Sequence, residues 1–282
     1  MTPPLPDIHC DLLIIGAGMA GTATALFAAR QGLDTVQVGM TGGIDFASGL
    51  IDLMGVHPIA AGQNRPDPWE AIAQLSRDCP RHPYARIGVP TIRAAMVEFL
   101  GALSDAGLPY HWLPHRNLQV ITALGTLKTT YAVPESMAVV ETVLKDRPPG
   151  LLVDFQGLKG FSARQITATL AERWPTLQTQ RLPFPGLSGD LQPERMARRL
   201  ETPQGRDALV RILRPHLGGA QVVGLPAVLG ISRSHQVFRA LQASLGVPVF
   251  EIPTMLPAVA GQRLRDGFER ELRPKGVRIF NQ

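Results

Sequence analysis

The sequence predicts an α/β fold, a nucleotide-type domain into which a second α/β region is inserted, and three observations carry that reading. The first is Asp11-Leu-Leu-Ile-Ile-Gly-Ala-Gly-Met-Ala-Gly21, an apolar run that leads straight into Gly16, Gly18 and Gly21. The second lies directly after it: a helical pattern from Thr22 to Gln31, a stop at Gly32, and Thr35-Val-Gln-Val38 as a second strand. The third is a later series of strands and helices between Leu151 and Ile252, with one last strand at Gly276 to Phe280. Strand, G-x-G-x-x-G, helix and strand together form the opening βαβ unit of a Rossmann-like domain. In that unit Gly16 allows the tight exit from the strand. Gly18 lets a phosphate approach the backbone, and Gly21 lets helix and strand pack closely. The helix start, with unpaired N–H groups and a positive dipole end, suits an anion.

Length and composition bound the function. The chain has 282 residues, enough for a sizeable core, with 45% hydrophobic and 18% charged residues. That balance fits a globular enzyme and excludes a disordered chain. A net charge of +5 suits an anionic ligand or a membrane-side partner. Nucleic acid is not expected as a partner, because the arginines are scattered and no basic block is interleaved with aromatics. Cys10 and Cys79 are the two cysteines, too few for an iron–sulfur cluster or a Cys-rich zinc site, and their number suits a reducing cytoplasm. No apolar run reaches the ~18–20 residues of a membrane span, and the N-terminus lacks the basic start of a secretory signal.

Taken in order, the elements read as follows. After Val38 comes Gly39-Met-Thr-Gly-Gly-Ile-Asp-Phe-Ala-Ser-Gly49, a small-residue loop that reads equally as a wall lying against a flat cofactor or as a flexible surface connection. Gly62 to Pro68 is polar and Pro-rich, and it separates residues 1–61 from an inserted region over 62–261, with 262–282 returning to the first domain. Pro68 starts one helix, and Thr91 to Ala106 forms an amphipathic second helix ended by Gly107. Leu118 to Thr122 and Leu127 to Val133 read as a hairpin turning at Leu124-Gly125. Leu151-Leu-Val-Asp154 is a strand, Ser162 caps a helix to Arg173, and Arg181 to Pro193 reads as irregular. Helices over Pro193–Leu200, Arg206–His216 and Ser234–Leu245 alternate with strands over Ala220–Leu225 and Val247–Ile252. A helix from Gly261 to Arg273 carries Asp266/Arg270 and Glu269/Arg273 pairs.

The chemistry is defined largely by what is missing. There is no G-x-S-x-G, H-E-x-x-H or P-loop, and the histidines show no metal-ligand spacing. His111 and His115 are four apart, but Pro114 argues against the helix that would align them. Asp52 and His82 are candidate acid/base groups without a visible partner, and no catalytic residue is assigned. A dinucleotide fold normally ends its second strand with an acid that binds the adenosine ribose. Here Val38-Gly39-Met40 stands in that place. A ligand with a phosphate and no adenosine, such as FMN, escapes this objection, and so does a site that binds nothing. Arg195, Arg198 and Arg199 read as a solvated helix face, whereas Arg263, just past the Gly261 turn, is a candidate for substrate or partner contact.

These residues resemble the B-subunit family of the anaerobic glycerol-3-phosphate dehydrogenases. The resemblance rests on the Gly16–Gly21 turn, Phe46-Ala-Ser-Gly-Leu-Ile-Asp-Leu53, His82-Pro-Tyr84, Leu124-Gly-Thr-Leu-Lys-Thr129 and Asp154-Phe-Gln-Gly-Leu158. It continues through Leu225-Pro-Ala-Val-Leu-Gly230 and Pro253-Thr-Met-Leu-Pro257. It implies a glutathione-reductase-type flavin domain and an oxidation of sn-glycerol 3-phosphate to dihydroxyacetone phosphate. Electrons would pass through flavin to a quinone, with fumarate or nitrate as terminal acceptor. Implied partners are an FAD-dependent dehydrogenase chain, the A-subunit, together with a membrane-associated iron–sulfur subunit, which would hold the chain at the inner face of the cell membrane. FMN is the implied cofactor, with FAD as the alternative. Gly16, Ala17, Gly18, Met19, Ala20 and Gly21 would hold the flavin phosphate, and Thr41, Gly42, Ser48 and Gly49 would line the ring or ribityl chain. The family's chains continue past the strand matching Val277 to Phe280 with a Gly-rich segment that completes the pocket, a segment this sequence does not contain. Two further readings stay open: an assembly subunit with a vestigial nucleotide fold, and a nicotinamide-dependent dehydrogenase.

Overall fold

The first strand, β1 (Leu12–Ile15), forms because four apolar residues precede a glycine that turns the chain out of the sheet. In the computed structural model, which describes residues 7–40, 42–255 and 258–281, it leads into α1 (Met19–Arg30) and β2 (Thr35–Gly39). β1 and β2 are parallel, with Leu12 opposite Thr35 and Ile15 opposite Val38. A short α2 (Gly42–Asp45) follows, and then α3 (Pro68–Asp78), started by Pro68 and capped by the Asp67 carboxylate on the Trp69 and Glu70 amides. Next come α4 (Pro83–Ile87) and the 17-residue α5 (Val89–Asp105).

Two small antiparallel pairs come next. β3 (Tyr110–Trp112) pairs with β6 (Ala132–Pro134), and β4 (Leu118–Ile121) pairs with β5 (Leu127–Thr130) around the expected turn at Gly125. The long second arm of the expected hairpin is thus divided at Tyr131 into two strands serving different partners, and β3 is an addition to the sequence reading.

The second parallel sheet starts after α6 (Val140–Asp146). It contains β7 (Gly150–Phe155), α7 (Ala163–Leu170), β8 (Leu177–Leu182), α8 (Pro193–Leu200), α9 (Pro203–Leu213), β9 (Val222–Pro226), α10 (Ser234–Leu245) and β10 (Val249–Ile252). Its strand order is β10-β9-β7-β8. Leu151, Leu152, Val153 and Phe155 of β7 are all buried, as expected for a central strand covered on both faces. β8 corrects the irregular reading that began at Arg181. Its Leu-Gln-Thr-Gln-Arg-Leu pattern is that of an edge strand, with Leu177 and Leu182 alone buried.

The chain then returns. α11 (Val259–Leu272) packs on α1 and α2, and β11 (Arg278–Asn281) lies parallel to β2, completing a sheet of order β1-β2-β11. Trp69, Ile72, Phe99 and Leu103 share one core with Ile14, Leu26, Leu264 and Phe268. The helices between residues 68 and 105 therefore pack with the nucleotide domain, although the sequence pattern set its boundary before them. Each fully buried Leu or Phe contributes about 1.5–3 kcal/mol. On its other face the first sheet is open among the described residues: Leu13 is 54% exposed and Ile15 84%.

Candidate functional site

The site is built on the junction of β1 and α1. Gly16 has φ +127°, a conformation L side chains rarely adopt, and its amide donates to the Val38 carbonyl at 2.7 Å. A Cβ on Gly21 would stand 2.1 Å from the Gly16 oxygen, so helix and strand meet here at backbone distance. Gly18 is the N-cap of α1 and offers no side-chain cap, and the first turn carries no acid. The position a Gly18 Cβ would take has nothing within 4 Å. The start of α1 is therefore uncapped by any side chain and open at Gly18, an arrangement that suits a phosphate.

Gln37 completes the turn. It is 2% exposed, and its Nε2 donates to the Gly16 oxygen at 2.9 Å and lies 3.5 Å from Thr22 Oγ1. Sequence reasoning passed over it. The available signal was one amide in the middle of the otherwise apolar Thr-Val-Gln-Val strand.

The end of β2 lies against the same turn. A Cβ on Gly39 would meet the Ala17 nitrogen at 2.7 Å, and Met40, standing where the ribose acid would be, is 77% exposed. Thr41 lies outside the described residues. Gly42 opens α2, and the Cβ position of Gly43 is 3.7 Å from Gly18 Cα, so this loop walls the turn. Asp45 closes α2 onto α11 through an ion pair with Arg265. Burial holds its carboxyl above the ordinary value, outweighing Arg265, with Glu194 and Glu269 adding to the rise.

Ser48 and Gly49 sit farther along the same loop. Ser48 Oγ accepts weakly from the Leu50 amide, at 3.4 Å. Gly49 has φ +82° and fits closely under α11, where its Cβ would come 2.9 Å from that of Ala260. Its carbonyl accepts from Tyr110 Oη at 2.7 Å. Desolvation pushes the Tyr110 phenol above its ordinary value, with Arg263 pulling the other way, so Tyr110 stays a neutral donor.

Arg263 is the clearest correction among the single residues. It is buried, its Nε donates to the Gly230 carbonyl at 2.8 Å, and its two terminal nitrogens donate to Glu251 at 2.7 and 2.8 Å. Ser136 Oγ and the Leu229 amide complete the Glu251 carboxylate. The guanidinium, a candidate for substrate or partner contact, is spent on joining α11 to the second sheet. Of the acid/base candidates, Asp52 pairs with Lys128 at 2.7 Å, and the His82 ring accepts from the Tyr84 amide to cap α4.

The geometry passes one fit test for a flavin phosphate: an uncapped helix start and space at Gly18, on a turn packed so closely that a Cβ at Gly21 or Gly39 would collide with its backbone. Comparison with known proteins agrees. The family described as FAD binding domain matches residues 11–282. The chain belongs to that family. The resemblance read from the sequence is also met: the chain is similar to the anaerobic glycerol-3-phosphate dehydrogenase B-subunit of Pectobacterium atrosepticum, 28% identical over 96% of this chain and 66% of that one. It is 36% identical to the probable B-subunit of Halobacterium salinarum, over 96% of this chain and 65% of the relative. This chain thus spans just under two thirds of the length of those relatives. Among solved structures, the 3-ketosteroid-delta4-(5alpha)-dehydrogenase of Rhodococcus jostii RHA1 aligns over 39% of this chain and 24% of its own. The identity there is 25% and the TM-score 0.24, an overlap on which nothing below rests.

Proposed function

We propose that this chain is the flavin-holding part of an anaerobic glycerol-3-phosphate dehydrogenase B-subunit. The observation that carries the reading is the uncapped start of α1, open at Gly18 and walled by the loop that begins at Gly42. The amides of Met19, Ala20 and Gly21 would bind the flavin phosphate, with Gly16 and Ala17 shaping the approach. Gln37 keeps the Gly16 carbonyl bonded and so fixes the turn before any ligand arrives. Ser48 and Gly49, positioned by Tyr110, would lie along the ring or ribityl chain, and Gly42 would complete that wall.

A flavin bound here supplies two-electron acceptance and one-electron release. In this reading the parent enzyme oxidises sn-glycerol 3-phosphate to dihydroxyacetone phosphate, and its electrons leave through iron–sulfur groups of a partner toward a quinone. The proposed partners are the FAD-dependent dehydrogenase chain and a membrane-associated iron–sulfur chain, which would place this one at the inner face of the membrane. Among the described residues no helix is long and apolar enough to cross a membrane.

FMN is the preferred flavin, because Gly39 and Met40 offer the adenosine ribose no carboxylate. FAD is the second reading, favoured by the family match over residues 11–282. Mass spectrometry of the small molecule released on denaturation separates them. A mass of FMN supports the first, a mass of FAD the second, and a nicotinamide nucleotide overturns both.

A further inference from the structure

A loop that the flavin reading does not use projects from the molecule between Gly55 and Arg65. Its tip, Pro58-Ile59-Ala60-Ala61-Gly62, is exposed at every residue. Ile59, at 84%, is as exposed as any large apolar side chain among the described residues. One turn of 3-10 helix over Ile59–Ala61 and a left-handed Gly62, φ +59°, fold the tip back on itself. A single exposed isoleucine is ordinary on a protein surface. Two features set this one apart.

The first is a stiff stem. Val56 and Asn64 form an antiparallel bridge, the His57 amide donates to the Gln63 carbonyl at 3.0 Å, and the Arg65 amide donates to the Gly55 carbonyl at 2.9 Å. Asn117 clamps both legs, its Nδ2 donating to the carbonyls of Met54 at 2.9 Å and Arg65 at 2.8 Å. The buried His57 ring pins the stem to the end of α3, with Nε2 2.8 Å from Asp78 Oδ2. A tip held in this way has little conformational freedom left to lose when it meets a surface.

The second is charge. The end of α3 that receives the loop carries Arg77, Arg81 follows it, and Arg86 lies on α4, which packs on α3. All three are exposed, and among the described residues none is paired with a carboxylate. The acids nearby are already engaged. Asp78 is held by His57 and Gln74, and Asp52, whose charge reaches Tyr84 of α4, is held by Lys128 at 2.7 Å. An uncovered apolar tip beside three free guanidinium groups complements an apolar layer beneath anionic head groups. A protein partner fits less well. A stable protein–protein contact covers about 800 Å² on each side, and one narrow loop tip offers a small part of that.

We infer that the 58–62 tip is a membrane-contact point: Ile59 enters the interfacial layer of an anionic bilayer, and Arg77, Arg81 and Arg86 lie on its head groups. One apolar insertion alone gives marginal, reversible binding, so the arginines supply the second signal. The contact belongs to this chain itself and stands apart from the flavin site and from any iron–sulfur partner. Flotation of the full chain, without partners, on phosphatidylglycerol-rich vesicles and separately on phosphatidylcholine vesicles tests it. Binding is expected to the first, far weaker to the second, and falling as salt screens the head groups. Ile59→Asp should weaken it at least about tenfold, the equivalent of one buried isoleucine. Arg81→Gln should weaken it about fivefold, on the anionic vesicles only. Both positions are exposed, so the circular dichroism of the variants should match the wild type. Leu124→Asp, at the exposed turn between β4 and β5, should float as the wild type does. No flotation on anionic vesicles, equal flotation on both kinds, indifference to Ile59→Asp or Arg81→Gln, or an equal loss with Leu124→Asp would each overturn the assignment.

Discussion

Gly18 and Gly21 belong to one motif but do different jobs, and single substitutions separate them. At Gly18 a side chain meets open space, so Gly18→Val is expected to keep the fold, with a loss of stability near 1 kcal/mol or less. It should nonetheless cost at least about 100-fold in flavin affinity, because the added methyls occupy the phosphate's place. At Gly21 a single methyl collides with the Gly16 carbonyl, so even Gly21→Ala should lower the denaturation midpoint, by about 2 kcal/mol or more of stability. Chemical denaturation alongside flavin titration reads both effects. Tyr110→Phe removes the hydroxyl from the Gly49 carbonyl. The expected loss is about 1 kcal/mol, with flavin binding weakened because the Ser48–Gly49 turn is no longer held. Unaltered flavin affinity in that variant would remove Tyr110 from the site's support.

At the scale of elements, α11 is the piece that makes the site whole. It runs under α2 so closely that a Cβ on Gly261 would stand 2.5 Å from the Ile44 carbonyl and 2.6 Å from that of Asp45. Gly261→Val should therefore push the 42–49 loop off the turn and lower flavin affinity as well as stability, measured by the same two titrations. The sequence made β1, α1 and β2 legible, because a buried strand, a glycine turn and a helix stop are local signals. α10 was legible to the residue at Ser234–Leu245, since Gly246 ends it in the left-handed conformation. β8 was not, because an edge strand half open to solvent loses the apolar run that marks β7. The roles of Gln37 and Arg263 were hidden for another reason. Each is defined by a partner on a different element, Gly16 across the sheet and Glu251 on β10, and no local pattern announces such a pairing.

At the scale of the molecule, Glu251 and Arg263 join the halves built on the two parallel sheets. Burial alone would raise the Glu251 carboxyl. The charge and two hydrogen bonds of Arg263, with Ser136 and the Leu229 amide, outweigh it and hold Glu251 below its ordinary value. A carboxyl depressed in the folded state contributes stability above its unfolded pKa, about 4.3, and loses it as pH falls through the lower folded value. Wild-type protein should therefore lose thermal stability in acid below about pH 4, and Glu251→Gln should lose that part of the slope. At neutral pH the same variant strands a buried guanidinium and should be less stable by about 3–5 kcal/mol. A pH series of thermal midpoints for the two proteins checks both statements. Among the described residues, Ile15 and Leu13 of β1 stay exposed on the opposite face of the first sheet.

The central claim is that the start of α1 holds a flavin phosphate, and one titration meets it directly. Flavin-free wild-type chain and its Gly18→Val variant are each titrated with FMN and with FAD, following quenching of flavin fluorescence. The account predicts saturable binding to the wild type, stronger for FMN, and its loss in the variant while the circular dichroism of the two proteins stays the same. A wild-type chain that takes up neither flavin, or a Gly18→Val chain that binds as tightly as the wild type, would contradict it.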